Sequence, residues 1–321
     1  MNLDNTLFIL GAGSSVPYGY PTARKLRDDI ISNYLEILRK TYRQLNGIDL
    51  NLRRTNEILN PLITQFDQSN TESIDLFLTR NKENVAYAEA LKLLWIYMVW
   101  YEIDSKLNSY RVDIKENWYF EFYNQLTNNI HTKEDLTELY KTKTTFITFN
   151  YDRSLEHFLF SSFQNSFNLT EQETNQLIDK IFDFHHVYGC VLPLNWMRIN
   201  GIKSNYATGE TLVHIDHSYT NIKLIYSDRI QLPTEYQEKI SNSKKIFFLG
   251  FGFASVNLEF LNIKNLLNNN HSIFATGIGI LEKQKSQIIQ SISHGAVGIR
   301  DHKIHIKQEM NNLQLLQAYL F

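Results

Sequence analysis

The sequence predicts an α/β fold in which a doubly wound, mainly parallel sheet carries a helical insertion. Short apolar runs that end in glycine or a polar residue recur along the chain, beginning with residues 7–10 before Gly11. Segments with helical spacing of apolar residues lie between these runs, and such alternation is typical of parallel sheets. Helical periodicity without a convincing strand extends from about residue 50 to 140. Together these observations predict a Rossmann-like sheet with an inserted helical lobe.

Each predicted element rests on a local pattern. Residues 7–10 form a continuous apolar run, as expected of a strand that is buried on both faces. Residues 23–42 place Leu26, Ile30 and Tyr34 on one face of a helix, because they are four residues apart. Further strands are predicted at residues 144–150, 182–189, 222–227 and 244–253, and a further helix at residues 257–267.

This order predicts three parts of the chain. Residues 1–45 and 141–300 form the α/β domain, residues 46–140 the helical insertion, and residues 301–321 a C-terminal tail. The longest helical segment of the insertion carries four aromatic residues, which are Trp95, Tyr97, Trp100 and Tyr101. Aromatic residues at helical spacing usually pack inward, but they are also enriched in interfaces, so core packing and an assembly surface both remain open.

Composition gives no support for several classes of protein. The 321 residues carry 32 Lys and Arg against 34 Asp and Glu, so no basic footprint for direct nucleic-acid binding stands out. The single cysteine, Cys190, cannot form a disulfide within the chain or supply a four-cysteine zinc site. The most apolar run, residues 93–100, is shorter than the roughly 20 residues of a membrane helix. We therefore expect a cytoplasmic protein without a bound metal.

A glycine-rich turn follows the first predicted strand. Gly11, Gly13 and Ser14 lie where that strand leads into a helix, and glycine there permits a tight turn and a close approach of phosphate. Free amide groups at the start of the helix are expected to face the anion. Val16 stands where the dinucleotide fingerprint of dehydrogenases has its third glycine, which disfavours an ordinary dehydrogenase. The alternative is a turn that only connects strand and helix.

Polar residues follow the next two predicted strands. Asn150 and Asp152 come directly after an apolar strand, at the sheet edge where α/β proteins bind ligands. Capping of the next helix is the alternative role for both. On the following strand, His186 and Tyr188 are two residues apart and are expected to share a face. Histidine is the side chain most easily poised as a general base near neutral pH.

Four segments together resemble the SIR2-like family. They are LFILGAGSS with GYPTARKL (residues 7–26), ITFNYDRSLE (147–156), HHVYG (185–189) and IFFLGFGFASVNL (246–258), and they occur in the order found in that family. The resemblance covers most of the chain apart from the helical insertion and the C-terminal residues. One departure is clear: the family commonly has histidine immediately before the glycine, where this chain has Tyr188 before Gly189.

The resemblance implies an NAD site. Residues 11–15 would surround the pyrophosphate, and Asn150 would position the attacking water and the nicotinamide ribose. Asp152 would hold this loop or the carboxamide, with His186 as the base and Tyr188 packed on the ribose. The implied cofactor-binding residues are Gly11, Ala12, Gly13, Ser14, Ser15, Pro21, Thr22 and Thr148, and on the adenosine side Gly250, Phe251, Gly252 and Asn257.

The resemblance also implies an activity. Sirtuin deacylases carry a zinc ribbon of four cysteines, whereas the SIR2-like NADases of prokaryotic antiphage defence lack it, and this chain is similar to the second group. The implied reaction is hydrolysis of NAD+, as substrate, to nicotinamide and ADP-ribose without a metal. An effector that depletes NAD+ on activation implies control by a homo-oligomer or by a regulatory partner encoded nearby. The alternative is a catalytically impaired nucleotide-binding sensor or scaffold subunit, for which Tyr188 is the main argument.

Overall fold

The computed structural model describes residues 3–45, 52–109, 111–141, 143–224, 231–293 and 299–321. Within these residues one sheet has the strands β1 (Thr6–Leu10), β2 (Thr144–Thr148), β3 (Phe182–His186), β4 (Lys245–Leu249), β5 (Ser272–Thr276) and β6 (Ile304–Lys307). Every neighbouring pair is parallel, and the order is β3-β2-β1-β4-β5-β6. This is the predicted doubly wound α/β fold. The order reverses direction between β1 and β4, which is where such sheets bind ligands.

A row of phenylalanine rings crosses one face of the sheet. Phe8 of β1 pairs in register with Phe146 of β2 and Phe247 of β4, and its ring stacks on theirs at centroid distances of 5.0 and 5.5 Å. Phe184 and Phe274 extend the row on the two sides. Burial of each such ring stabilises the fold by about 1.5–3 kcal/mol, so this row fixes the register of the strands that carry the site.

Helices pack against the sheet. In the described residues the helices are α1 (Ala23–Gln44), α2 (Leu52–Gln68), α3 (Ile74–Arg80), α4 (Tyr87–Ile103), α5 (Trp118–Thr127), α6 (Ser154–Ser166), α7 (Glu171–Ile181), α8 (Ile215–Ser218), α9 (Thr234–Asn242), α10 (Ser255–Phe260), α11 (Ile263–Leu266), α12 (Glu282–Ser293) and α13 (Asn312–Tyr319). Phe122 of α5 packs edge-on against Phe8, and Tyr319 of α13 stacks on Phe274. The two helices therefore cover the phenylalanine face. None of the helices in the described ranges is long and apolar enough to cross a membrane.

The helical insertion is built around α4, a mainly apolar helix that is largely buried. Trp95, Tyr97 and Trp100 are buried, and Tyr101 is partly buried. The Trp95 indole donates to the carbonyl of Val191, 2.9 Å away, and thereby joins the insertion to the chain that follows β3. These aromatic residues consequently pack inward, as one of the two open interpretations expected, and do not form an exposed assembly surface.

The structure differs from the predicted elements in several places. β5 and β6 were not predicted, and β6 with α13 lies in residues 301–321, which were expected to form a tail outside the sheet. The strand predicted at 222–227 is not seen at residues 222–224, and residues 225–227 lie outside the described residues. The helix expected at 257–267 is divided into α10 and α11 by Asn262, whose φ is +54°.

A second difference concerns β3, which ends at His186 instead of continuing to residue 189. Gly189 then turns the chain with a φ of +69°. Alternation of side chains holds only within a strand. The two side chains have different surroundings, since His186 contacts Glu156 and Tyr188 contacts Asn257, so they do not share a face as predicted.

Candidate active site

A cavity of about 780 Å³ lies at the carboxyl ends of the central strands. This volume falls within the range of about 300–1,000 Å³ that is typical of ligand pockets. The loops that follow β1, β2 and β4 meet at its wall, together with the beginnings of α1 and α13 and with part of α3. The cavity therefore occupies the crevice at which the order of the sheet reverses.

Most residues that the sequence singled out contact this cavity. Its wall includes Gly11, Ala12, Gly13, Ser15, Pro21, Thr22, Asn150, Asp152, Tyr188, Gly250, Phe251, Gly252 and Asn257. The other three, Ser14, Thr148 and His186, are not part of the wall and contact Asn150 from behind it. Three segments that are distant in the sequence are thus brought to one space.

Two glycine loops lock together beneath the cavity. The amide of Gly13 donates to the carbonyl of Gly250 at 3.0 Å, and Gly250 has a φ of +58°. A Cβ atom on Gly250 would lie 2.0 Å from the amide nitrogen of Ser14. Glycine is therefore required at residue 250 by both its backbone conformation and the close approach of the two loops.

The amides of the first glycine loop are used within the protein. The amides of Ser14 and Ser15 donate to the carbonyls of Gly11 and Ala12, which form a short 3-10 turn. The chain passes through a second 3-10 turn, and α1 begins only at Ala23. The expectation of free amides at a helix start directly after the glycine turn is therefore wrong for residues 13–15. Pro17, Gly19 and Pro21 delay the start of the helix.

Asn150 is held rigidly at the centre of the site. Its Nδ2 atom lies 3.1 Å from the carbonyl of Gly11 and from the hydroxyls of Ser14 and Ser15. Because a carbonyl can only accept, the nitrogen of the side-chain amide must face this loop. The Oδ1 atom is buried and has no hydrogen-bond partner among the described residues. An unpaired buried acceptor costs about 1–3 kcal/mol, so it points to a ligand group that donates to it.

Asp152 combines two roles that the sequence left as alternatives. It lines the cavity, and its Oδ1 accepts the backbone amide of Ser154 at 3.1 Å and the Ser154 hydroxyl. It therefore caps the start of α6 while facing the cavity. Burial raises the pKa of the Asp152 carboxyl, and hydrogen bonds from Ser154 and Ser15 only partly offset that rise.

His186 lies behind the wall with both ring nitrogens engaged. Its Nδ1 is 3.0 Å from the carbonyl oxygen of Asn150, and its Nε2 is 2.6 Å from Oε1 of Glu156. Burial would lower the pKa of His186, but the Glu156 carboxylate and the hydrogen bonds outweigh it and raise the pKa. This geometry does not fit the predicted general base, because no ring nitrogen remains to take a proton from water in the cavity.

Tyr188 contacts the cavity from the turn after β3. Its hydroxyl donates to Oδ1 of Asn257 at 2.8 Å, and its ring packs edge-on against Phe149. Tyr188 therefore links the chain after β3 to α10, the helix that follows the second glycine loop.

The structure adds residues that the sequence did not indicate. The amide of Gly250 donates to the Thr276 hydroxyl at 2.8 Å, which donates to Oδ1 of Asn312 at 3.3 Å. Asn312 in turn donates to the carbonyl of Gly13 at 3.3 Å, so β5 and α13 support both glycine loops. Thr276 carries a weak signal, because it ends an apolar run before Gly277. Asn312 carries none, since it reaches the site only through β6.

The ionisable acid and base groups on the described part of the cavity wall are all carboxyl groups, apart from tyrosine hydroxyls. Four acidic residues line the cavity, which are Glu72, Asp75, Glu116 and Asp152, and no Lys, Arg or His from the described part of the chain does so. Asp75 accepts the Tyr151 hydroxyl, and burial raises its pKa. Such a wall favours a ligand with a cationic centre. Among the described residues, no three His, Cys, Asp or Glu side chains are grouped so that they could hold a metal ion.

Comparison with known proteins gave no match, either to a protein-family model or to a curated protein. Function is therefore argued from the chemistry of the site.

Proposed function

We propose that this protein is a SIR2-like NAD+ glycohydrolase, which releases nicotinamide by attack of water and acts as an antiphage defence effector. The observation that carries the proposal is the meeting of the loops after β1, β2 and β4 around the buried, unpaired Oδ1 of Asn150. The defence role follows from the family resemblance, and the chemistry follows from the residues of the cavity.

The fit of NAD+ rests on the shape and polarity of the wall. The pyrophosphate lies against residues 11–15 and near the start of α1, where Ala23 lines the cavity. α1 has 22 residues, so the positive end of its dipole partly compensates the phosphate charge. The adenosine lies along residues 250–252, and the nicotinamide ribose lies beside Asn150. Phosphate binding thus depends on α1 rather than on the amides of residues 13–15.

The reaction needs a stabilised cation more than a strong base. The bond between C1′ of the ribose and the nicotinamide nitrogen breaks, its electron pair leaves with nicotinamide, and an oxocarbenium-like ribose remains. Carboxylates on the wall stabilise this positive charge. The Oδ1 of Asn150 accepts a hydrogen bond from the attacking water, and this bond directs a lone pair of the water oxygen at C1′.

Asp152 acts as the general base, the role that the sequence suggested for His186. As the water oxygen bonds to C1′, the water loses a proton to the Asp152 carboxylate, which then passes the proton to solvent. Asp152 lines the cavity and its pKa is raised towards the working range of a general base.

One observation favours a second candidate, a nucleotide-binding scaffold that has lost the chemistry. The histidine has no free ring nitrogen, and Tyr188 stands at the position before Gly189. Such a protein binds NAD+ in the same cavity but does not cleave it.

The test follows nicotinamide release from NAD+ by the purified full chain, with and without the protein encoded beside it. Asn150→Ala is expected to lower kcat at least about 100-fold, because it removes the group that orients water. Asn128→Ala, an exposed asparagine at the end of α5, is the matched control and should leave kcat unchanged. NAD+ binding without release would favour the scaffold, and failure to bind NAD+ under either condition would reject both candidates.

A further inference from the structure

Glu156 is a buried carboxylate that the proposed reaction does not use. It lies in the first turn of α6, is only 2% exposed, and is not part of the cavity wall. Its Oε1 is 2.6 Å from Nε2 of His186. A buried carboxylate requires a compensating partner, and His186 provides one.

The hydrogen bonds of His186 determine its protonation. The Asn150 carbonyl can only accept, so Nδ1 of His186 carries a proton. The Glu156 carboxylate is an acceptor as well, so Nε2 is protonated when Glu156 is ionised. The pair is then an imidazolium and a carboxylate, and both hydrogen bonds of the imidazolium are charge-assisted.

The imidazolium restrains the backbone of Asn150. The amide of Asn150 donates to the Thr148 hydroxyl at 3.1 Å, and the Asn150 carbonyl accepts from His186. Because both backbone polar groups of Asn150 are hydrogen-bonded, the backbone is held in one orientation. That orientation sets the direction in which the side chain leaves the backbone towards the glycine loop. A chain of contacts thus runs from Glu156 through His186 and Asn150 to residues 11–15.

We propose that Glu156 is a positioning residue, whose charge keeps His186 doubly protonated and thereby aims the side chain of Asn150 into the cavity. The inference concerns the site of the proposed function, but its central test does not require NAD+ cleavage.

Two other titratable groups of the described residues lie near His186. Asp152, on the loop before α6, acts on it more weakly than Glu156 does. His185, on the same strand, points away and stacks on Tyr236 of α9 with a centroid distance of 4.2 Å. Burial lowers the pKa of His185 to about 4, so it remains neutral at neutral pH. Glu156 therefore controls the charge of His186.

The experiment titrates the histidines of the labelled full chain by NMR between pH 5.5 and 8.5, in wild type and in Glu156→Gln. The His186 signal, assigned by its loss in His186→Gln, is expected to remain that of an imidazolium through pH 7.5 in wild type. In Glu156→Gln its titration midpoint should fall by at least one pH unit. Glu238→Gln, which changes an exposed glutamate of α9, is the control and should behave as wild type.

Positioning is tested by the side-chain amide signal of Asn150, assigned by its loss in Asn150→Ala. In Glu156→Gln this signal should shift with the same midpoint as His186, and in wild type it should stay constant through pH 7.5. If the protein cleaves NAD+, kcat of the variant should fall several-fold above that midpoint while KM changes little. A protein that does not cleave NAD+ contradicts the proposed function but leaves both NMR outcomes decisive.

An ordinary midpoint near pH 6.5 for His186 in wild type would overturn the inference, as would an unchanged Asn150 signal in a variant whose His186 titrates. If Glu156→Gln does not fold, the titration of His186 in wild type and in Glu156→Asp, which retains the charge, still tests the claim. Both proteins should then show the imidazolium at pH 7.

Discussion

Three neighbouring polar side chains make different contacts at the site. Asn150 lines the cavity and has a buried, unpaired oxygen, His186 contacts the backbone of Asn150, and Asp152 lines the cavity two residues further along the chain. Burial opposes the charged form of the Asp152 carboxyl, so its folded pKa lies above its unfolded value. The free energy of unfolding therefore decreases as pH rises from the unfolded pKa of Asp152 through its folded pKa. An ordinary ion-paired aspartate has the opposite effect, because its folded pKa is the lower of the two.

This raised pKa predicts the pH dependence of turnover. The midpoint of the ascending limb of kcat against pH should lie above the ordinary aspartate pKa of about 3.9, because the proposed base acts only when it is ionised. Asp152→Asn should remove that limb and lower kcat about 100-fold or more. Asp104→Asn, an exposed aspartate remote from the cavity wall, should retain the wild-type profile. A limb that persists in Asp152→Asn would assign the base to another group.

At the scale of elements, the site depends on loops that are supported from distant parts of the chain. The glycine loops after β1 and β4 contact each other, and β5 and α13 support them through Thr276 and Asn312. The insertion is joined to the loop after β2 by a buried ion pair, in which Arg153 donates to both carboxylate oxygens of Glu102. The geometry of the cavity therefore depends on elements that do not touch its ligand.

The contact between the glycine loops predicts a contrast between two alanine substitutions. Gly250→Ala should lower the free energy of unfolding by more than about 2 kcal/mol, because the residue has a left-handed conformation and its Cβ would meet backbone. Gly252→Ala is the matched control for folding, since its Cβ meets no atom within 4 Å.

Denaturant unfolding measures both variants. NAD+ affinity should fall strongly in Gly250→Ala, because the two loops must separate. Equal unfolding midpoints for the two variants would show that the observed approach of the loops is wrong.

At the scale of the whole molecule, charge is distributed unevenly about the cavity. The chain is nearly neutral, with a formal charge of −2, yet the described part of the cavity wall carries four acidic residues and no basic ones. This field favours the cationic nicotinamide ring and opposes additional phosphate. The site should therefore discriminate between dinucleotides by charge.

We expect kcat/KM for NADP+ to be at least tenfold lower than for NAD+, since the extra phosphate brings about two negative charges close to carboxylates. Added salt should reduce the difference in kcat/KM between the two dinucleotides, because it screens the charges. Glu116→Gln should also reduce this difference. Glu171→Gln, which changes an exposed glutamate of α7, should leave it unchanged. Equal use of the two dinucleotides at low salt would contradict this account.

The sequence by itself determined the fold class and four of the six strands, including the three central ones whose loops meet at the cavity. Apolar runs at residues 7–10 and 144–150 indicate buried parallel strands, and the carboxyl ends of such strands share one edge. The positions of Gly11 and Asn150 on this cavity follow from that geometry, and that of Gly250 from the family resemblance. Local patterns suffice here because the direction and burial of these strands are encoded within each segment.

Only the tertiary structure decided what the side chains do at that edge. The role of His186 depends on where β3 ends and on Glu156 of another element, and Asn312 reaches the glycine loop only because β6 joins the sheet. The amide of Gly13 is engaged because Gly250, from a distant segment, lies against it. Each of these features is a contact between distant segments, and such contacts depend on packing that no local pattern encodes.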